Sequence, residues 1–132
     1  MSGVEVGVGA VVVRDGALLL VQRGRPPYVG YWAVPGGKIR PGERLAEAVR
    51  RETREETGIT VDVGDVAWVG ETIGPGDPPT WHYVLIDFTA TWISGEIRPA
   101  DDAAAVRWVP LDEVRNLRLT PTMPALLEVI DG

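Results

Sequence analysis

Residues 36–59, GGKIRPGERLAEAVRRETREETGI, set a charged helix directly behind a glycine-rich turn. Two glutamates of that helix stand where it should be most apolar. On a helical wheel with Leu45 at zero and about 100° per residue, Val49 lies about 40° round and Ala48 about 60° the other way. These residues mark the buried stripe. Glu52 and Glu56 fall within about 20° of Leu45, at its centre. Glu55 and Arg51 flank it, while Glu47, Arg50 and Arg54 take the opposite, wet face. A charge on an inward face is costly unless it is paired or holds a metal. The helix is therefore expected to face an ion or a ligand.

The rest of the chain supplies a frame for this helix. VEVGVGAVVV (4–13) and ALLLVQR (17–23) are apolar, β-branched runs separated by the turn signal RDG, and predict a hairpin. Residues 24–43 are rich in glycine and proline and read as mostly loop, with YWAV a short strand. The helix spans 44–57 and is closed by Gly58. TVDVGDVAWVGETI (60–73) and WHYVLIDFTATWI (81–93) predict strands around the loop GPGDPPT, and AAVRWVPL (104–111) another. LDEV opens a helical turn, and TPTMPALLEVI (120–130) starts a final helix with a threonine cap and a proline in its first turn. Strands and helices mix without regular alternation. The expectation is one α/β (α+β) domain over residues 1–132, with helices packed on a mixed sheet.

Charge and residue inventory narrow the chemistry. With no cysteine, disulfides, thiolate zinc sites and a cysteine nucleophile are excluded. A net charge of −6 argues against a nucleic acid polymer or an anionic membrane as partner. A phosphorylated small molecule stays compatible, because a divalent cation can bridge acidic protein and anionic ligand. No signal peptide or membrane-spanning run is visible, so a cytoplasmic location is the default expectation.

Glu52, Glu55 and Glu56, at i, i+3 and i+4, point to one side of one helix and repel each other. Hard oxygen ligands at this density suit magnesium or manganese better than zinc. Gly36 and Gly37 let backbone approach closely and can offer a carbonyl to the same ion. Arg51 carries a planar fork suited to holding a carboxylate. The competing reading is a solvated face with Glu47–Arg51 and Arg51–Glu55 pairs. The inward placement and the glycine turn count against it.

Gly37, five residues, Glu43, seven residues, then RETREETGI resembles the Nudix box of the Nudix hydrolase superfamily. Seven identities, Gly37, Glu43, Arg51, Glu52, Glu55, Glu56 and Gly58, stand at fixed spacing, with chance agreement on the order of 10⁻⁸ per starting position. Ile59 fits a hydrophobic place in the pattern; Thr53 stands where an aliphatic residue is usual. VGAVVVRDGALLLVQRG, GYWAVPGG and VRWVPLDEV resemble the flanking segments in order. The resemblance implies a mixed sheet between helices and hydrolysis of a nucleoside diphosphate linked to another group. It implies metal ligation by Glu52, Glu55 and Glu56 with the Gly37 carbonyl, Glu43 as a supporting residue, and Arg51 orienting a glutamate. Mg²⁺, with Mn²⁺ possible, would neutralise the pyrophosphate and activate water. It also implies a possible homodimer.

The general base is expected at Asp102, in RPADDAAAVRW just before a strand, or at Glu55 within the box. Asp101 and Asp102 read equally well as an Asp-rich turn. Arg23 is a candidate phosphate contact, and Trp32, Trp81, Tyr28 and Tyr83 are candidates for stacking a base, Trp81 foremost. His82, alternating with apolar neighbours, reads as structural. An alternative to the enzyme is a module that senses a nucleotide without turning it over, against which the three glutamates argue. For substrate, Pro75 lies 16 residues after Ile59, as in ADP-ribose pyrophosphatases, and residues 60–97 contain no lysine or arginine. ADP-ribose, cut to AMP and ribose 5-phosphate, is the expected substrate, with nucleoside triphosphates, including oxidised ones, the runner-up.

Overall fold

The computed structural model describes residues 3–98 and 103–131. β1 (Glu5–Arg14) and β2 (Ala17–Arg23) are joined by Asp15 and Gly16, whose φ angles of 51° and 76° are both positive. Such a turn matches the right-handed twist of a hairpin, and an Asp-Gly pair accepts it. The two strands then part, for their pairing is confined to Val13–Leu18 and Arg14–Ala17. On the edge thus vacated, β1 takes β4 (Gly36–Lys38) in register from Gly7–Lys38 to Gly9–Gly36. On its other edge it runs parallel to β6 (His82–Ser94), from Glu5–Tyr83 to Val12–Ala90. β2 pairs with β7 (Ala103–Pro110) and with the short β3 (Trp32–Ala33). β5 (Thr60–Ile73) closes the far edge against β6, giving the order β3-β2-β1-β6-β5 with β4 on β1 and β7 on β2.

Alternation along these strands builds a core on each face. Val8, Ala10 and Val12 of β1 and Leu19 of β2 pack with Ala48 and Val49 of α1 (Leu45–Thr57), and with Ile59, Val61 and Phe88. Val11, Leu18 and Leu20 face the other way, onto Trp32, Val109, Val114 and Met123, Leu126 and Leu127 of α2 (Met123–Asp131). The mixed sheet therefore lies between helices, as expected. None of the helices among the described residues is long and apolar enough to cross a membrane.

Three local expectations need correction. The buried residues of α1 are Ala48, Val49, Thr53 and Thr57. That centres the stripe about 60° round from Leu45 and leaves Glu52 and Glu56 at its edge. The wheel counted the threonines as polar. Their hydroxyls donate to the preceding turn, Thr53 to the Val49 carbonyl at 2.7 Å and Thr57 to the Thr53 carbonyl at 2.6 Å, so both can be buried. β4 falls inside the segment read as mostly loop, because its strand character comes from pairing with β1 and not from its GGK sequence. α2 starts at Met123, three residues later than expected, since the Thr120 N–H is held by the Trp32 carbonyl at 3.0 Å. The end of α1 agrees: Gly58 has φ 83° and its N–H donates to the Arg54 carbonyl at 2.9 Å.

Candidate active site

The first turn of α1 is ordered by Glu47, whose carboxylate accepts from the Arg44 N–H at 2.8 Å. One and two turns on, Arg51 is the hub of the acidic face. Its Nε and Nη2 donate to the two oxygens of Glu43 at 2.7 and 2.9 Å. Nη1 donates to Glu52 at 2.6 Å and approaches Glu55 at 3.5 Å, and Nη2 reaches the Lys38 carbonyl at 3.1 Å. The Arg51 fork thus ties the loop before α1, the strand β4 and the helix face together. Its hydrogen bonds hold the Glu43 carboxyl down at about 2, from an ordinary 4.5, and the Glu43 contact raises Arg51 in turn. Glu43 also accepts from the Arg40 N–H at 3.0 Å, which locks the loop.

Glu52 and Glu56 meet the glycine turn. A Cβ on Gly37 would lie 2.5 Å from the Glu52 carboxyl, so glycine lets strand β4 pass beside that group without displacing it. The Gly36 N–H donates to Glu56 Oε1 at 2.9 Å, and Arg40 approaches Glu55 at 3.7 Å. Glu52 and Glu55 share Arg51, while Glu56 is held by the Gly36 N–H. Among the described residues, no group of three or more His, Cys, Asp or Glu side chains converges on one point. The donors present, three carboxylates beside a glycine carbonyl with no room taken by a side chain, fit a hard divalent cation. Binding one would draw the carboxylates away from their present partners.

Of these residues Gly36, Gly37, Glu52 and Glu56 border a cleft of about 460 Å³, and Glu55 does not line it. It opens where β1 and β2 part. Gly7, Gly9, Tyr83, Leu85 and Asp87 line it from β1 and β6, Gly37, Glu52 and Glu56 from the acidic side, and Arg23, Arg25, Tyr28 and Lys38 from elsewhere around it. Tyr28 holds φ 64°, an uncommon conformation for a non-glycine residue and one that often marks a ligand-facing position. Asp87 is only 8% exposed, and burial pushes its carboxyl up to about 6 from 3.8. Little in the sequence signals it, since one acid in the apolar run VLIDFTA reads as a solvent-facing strand position.

Of the other candidates, Arg23 lines the cleft, but its Nε donates to the Pro27 carbonyl at 2.6 Å and so braces the loop after β2. Tyr28 and Tyr83 line it too. Trp32 is buried in the core that faces α2, with the Arg107 guanidinium over its ring at 5.6 Å. Trp81 stands off the cleft with its ring edge-on to Tyr28, centroids 6.0 Å apart. His82 pairs across strands with Glu71 at 3.0 Å, in keeping with a structural role. Asp101 and Asp102 lie outside the described residues; Ala103, which follows them, lines the cleft.

Residues 3–130 match the family model of the NUDIX domain. Among curated relatives, the chain is 44% identical over 132 residues to a CTP pyrophosphohydrolase of Escherichia coli, covering 97% of this chain and 91% of that protein. It is 34% identical over 112 residues to an ADP-ribose pyrophosphatase of Methanocaldococcus jannaschii, covering 85% of this chain and 65% of that longer protein. Among solved structures, a MutT NUDIX hydrolase from Burkholderia pseudomallei superposes with a TM-score of 0.88 at 34% identity, over 98% of this chain and 99% of that one.

Proposed function

This chain belongs to the Nudix hydrolase family, and from that membership we propose that it hydrolyses the pyrophosphate linkage of a nucleotide, with Mg²⁺ as the cofactor. One observation carries the reading: Glu52 and Glu56 border the cleft beside Gly37, with Arg51 holding Glu52 in place. Bound there, the cation supplies neutralisation of the pyrophosphate charge and a lowered pKa for the attacking water. The chain's own residues do the positioning. Arg51 fixes Glu52 and Glu43, and Glu43 fixes the loop that leads into α1. Gly36 and Gly37 keep side chains out of the space between β4 and the helix. Glu55, 38% exposed at its side chain, is one candidate base, and Asp102 is the other.

For the substrate, a nucleoside triphosphate now stands ahead of ADP-ribose. Pro75, whose spacing favours ADP-ribose, does not line the cleft, and neither does Trp81. The lack of basic residues in 60–97 loses its force as well, because Arg23, Arg25 and Lys38 reach the cleft from β2, its following loop and β4. The name of the bacterial relative points the same way, while that of the archaeal relative keeps ADP-ribose as the second reading. Measurement of kcat/KM for CTP, dGTP, 8-oxo-dGTP, ADP-ribose and a diadenosine polyphosphate in one magnesium buffer decides. At least a tenfold preference for a triphosphate is expected. A tenfold preference for ADP-ribose reverses the order, and turnover of none of them removes the proposal.

A further inference from the structure

The cleft holds one acidic group that the hydrolytic chemistry does not use. Tyr83, Leu85 and Asp87 alternate on one face of β6, and all three line the cleft. Next to them on β1 lie Gly7 and Gly9, paired with Leu85 and Asp87. A Cβ on Gly9 would collide with Asp87 Oδ1, and one on Gly7 would come 3.1 Å from Leu85 Cδ2. The two glycines therefore let the β6 side chains lie across β1, and they leave a flat floor. Asp87 is more than nine-tenths buried, yet it opens on the cleft. Burial raises its carboxyl, and among the described residues no side chain or backbone group donates to it.

We propose that Asp87 is a specificity-determining residue that accepts hydrogen bonds from the N–H edge of the substrate's nucleobase. This rests on the nucleotide reading above. A buried carboxyl costs free energy unless a partner satisfies it. An anionic phosphate cannot be that partner, because like charges repel most strongly where water is scarce. A planar base suits the surroundings: a glycine floor, the apolar Leu85, and the rings of Tyr83 and Tyr28. Exocyclic amines and ring N–H groups are what a carboxylate recognises on a base edge.

The test is binding of 5′-monophosphates in EDTA by calorimetry, which needs neither metal nor turnover. AMP, GMP, CMP, purine riboside 5′-monophosphate, which lacks the amine, and ribose 5-phosphate are titrated into wild type, Asp87→Ala and the isosteric Asp87→Asn. Wild type is expected to bind at least one amine-bearing nucleotide about tenfold more tightly than purine riboside 5′-monophosphate and ribose 5-phosphate. Asp87→Ala is expected to erase that ratio while leaving the affinity for ribose 5-phosphate within twofold. The ratio should also fall in Asp87→Asn, which guards against a folding artefact in the alanine variant. An unchanged ratio in both variants overturns the assignment, as does an equal loss for ribose 5-phosphate. So does a weakened Mn²⁺ affinity of Asp87→Asn, which would give the carboxylate to the cation. If no nucleotide were hydrolysed, the hydrolase reading would fail while these titrations still decided the role of Asp87.

Discussion

Arg51 and Glu43, eight residues apart, face each other fork to fork, with Nε–Oε2 at 2.7 Å and Nη2–Oε1 at 2.9 Å. The same guanidinium has its third nitrogen on Glu52 at 2.6 Å. One planar group thus sets the loop and a glutamate proposed to hold the cation at once, which an ammonium cannot do.

Arg51→Lys is accordingly expected to lower kcat by about tenfold or more, the loss usual when a group supporting a metal ligand is removed. It should weaken Mn²⁺ binding in the same variant, measured by calorimetry. Retention of both would show that charge alone suffices at this position. The pair also has a pH signature. The Glu43 carboxyl is held at about 2 in the folded protein against 4.5 ordinarily. A depressed carboxyl stabilises the fold above 4.5, and that contribution is lost as pH falls through about 2. Glu43→Gln should flatten the acid limb of the stability curve in that window.

Glu56→Gln is expected to nearly abolish turnover while leaving the fold intact. The amide oxygen of glutamine can still accept from the Gly36 N–H, as Glu56 Oε1 does at 2.9 Å. Loss of one charge weakens a hard-cation site and relieves repulsion among three neighbouring carboxylates. Thermal melting in EDTA should therefore hold or rise. Full activity of the variant, or of wild type in excess EDTA, counts against metal-dependent hydrolysis.

Asp87→Asn should stabilise the protein at neutral pH. The folded carboxyl titrates at about 6, above the ordinary 3.8, because it is buried. A raised carboxyl makes its full contribution below 3.8, and the contribution is lost as pH rises through about 6. At pH 7 the wild type bears that cost, which the gap between the two values sets at roughly 3 kcal/mol. Urea denaturation at pH 4 and pH 7 is expected to show the variant's gain at pH 7 alone. An equal gain at both would assign it to packing.

Thr53→Val is expected to change stability by less than about 1 kcal/mol, since hydroxyl donor and methyl environment are lost and gained together. The residue is fully buried and its hydroxyl serves only the Val49 carbonyl of its own helix. Denaturation of Thr53→Val measures this directly; a loss of several kcal/mol would give the hydroxyl a structural task beyond its own turn.

Asp102→Asn separates the two candidate bases. A fall in kcat of about 10²-fold or more is expected if it activates water. Less than threefold moves that task to Glu55.

The sequence made the acidic helix, its glycine stop and most strands legible because each rests on local signals: periodicity, a cap, a turn pair. Gly37, Glu43 and the three glutamates were legible for a second reason, their spacing within one short segment. What stayed hidden depends on partners far along the chain. β4 is a strand because β1 lies beside it, and α2 starts late because Thr120 is tied to Trp32. Asp87 escaped notice because its importance lies in the absence of a local partner, a property no stretch of residues displays. Trp32 differs for the opposite reason: an aromatic beside a loop reads as available, and only the folded core shows it buried.

The parting of β1 and β2 also bears on how such a protein can change over generations. The glutamates and glycines proposed to hold the cation come from residues 36–56, one short stretch of chain. What a base or a distal group would touch comes from β2, its loop and β6, on the far side of the opening. Mutations can accumulate on that wall without disturbing that stretch, so a change of diet need not cost the chemistry. Selection can tune the two halves of the cleft separately.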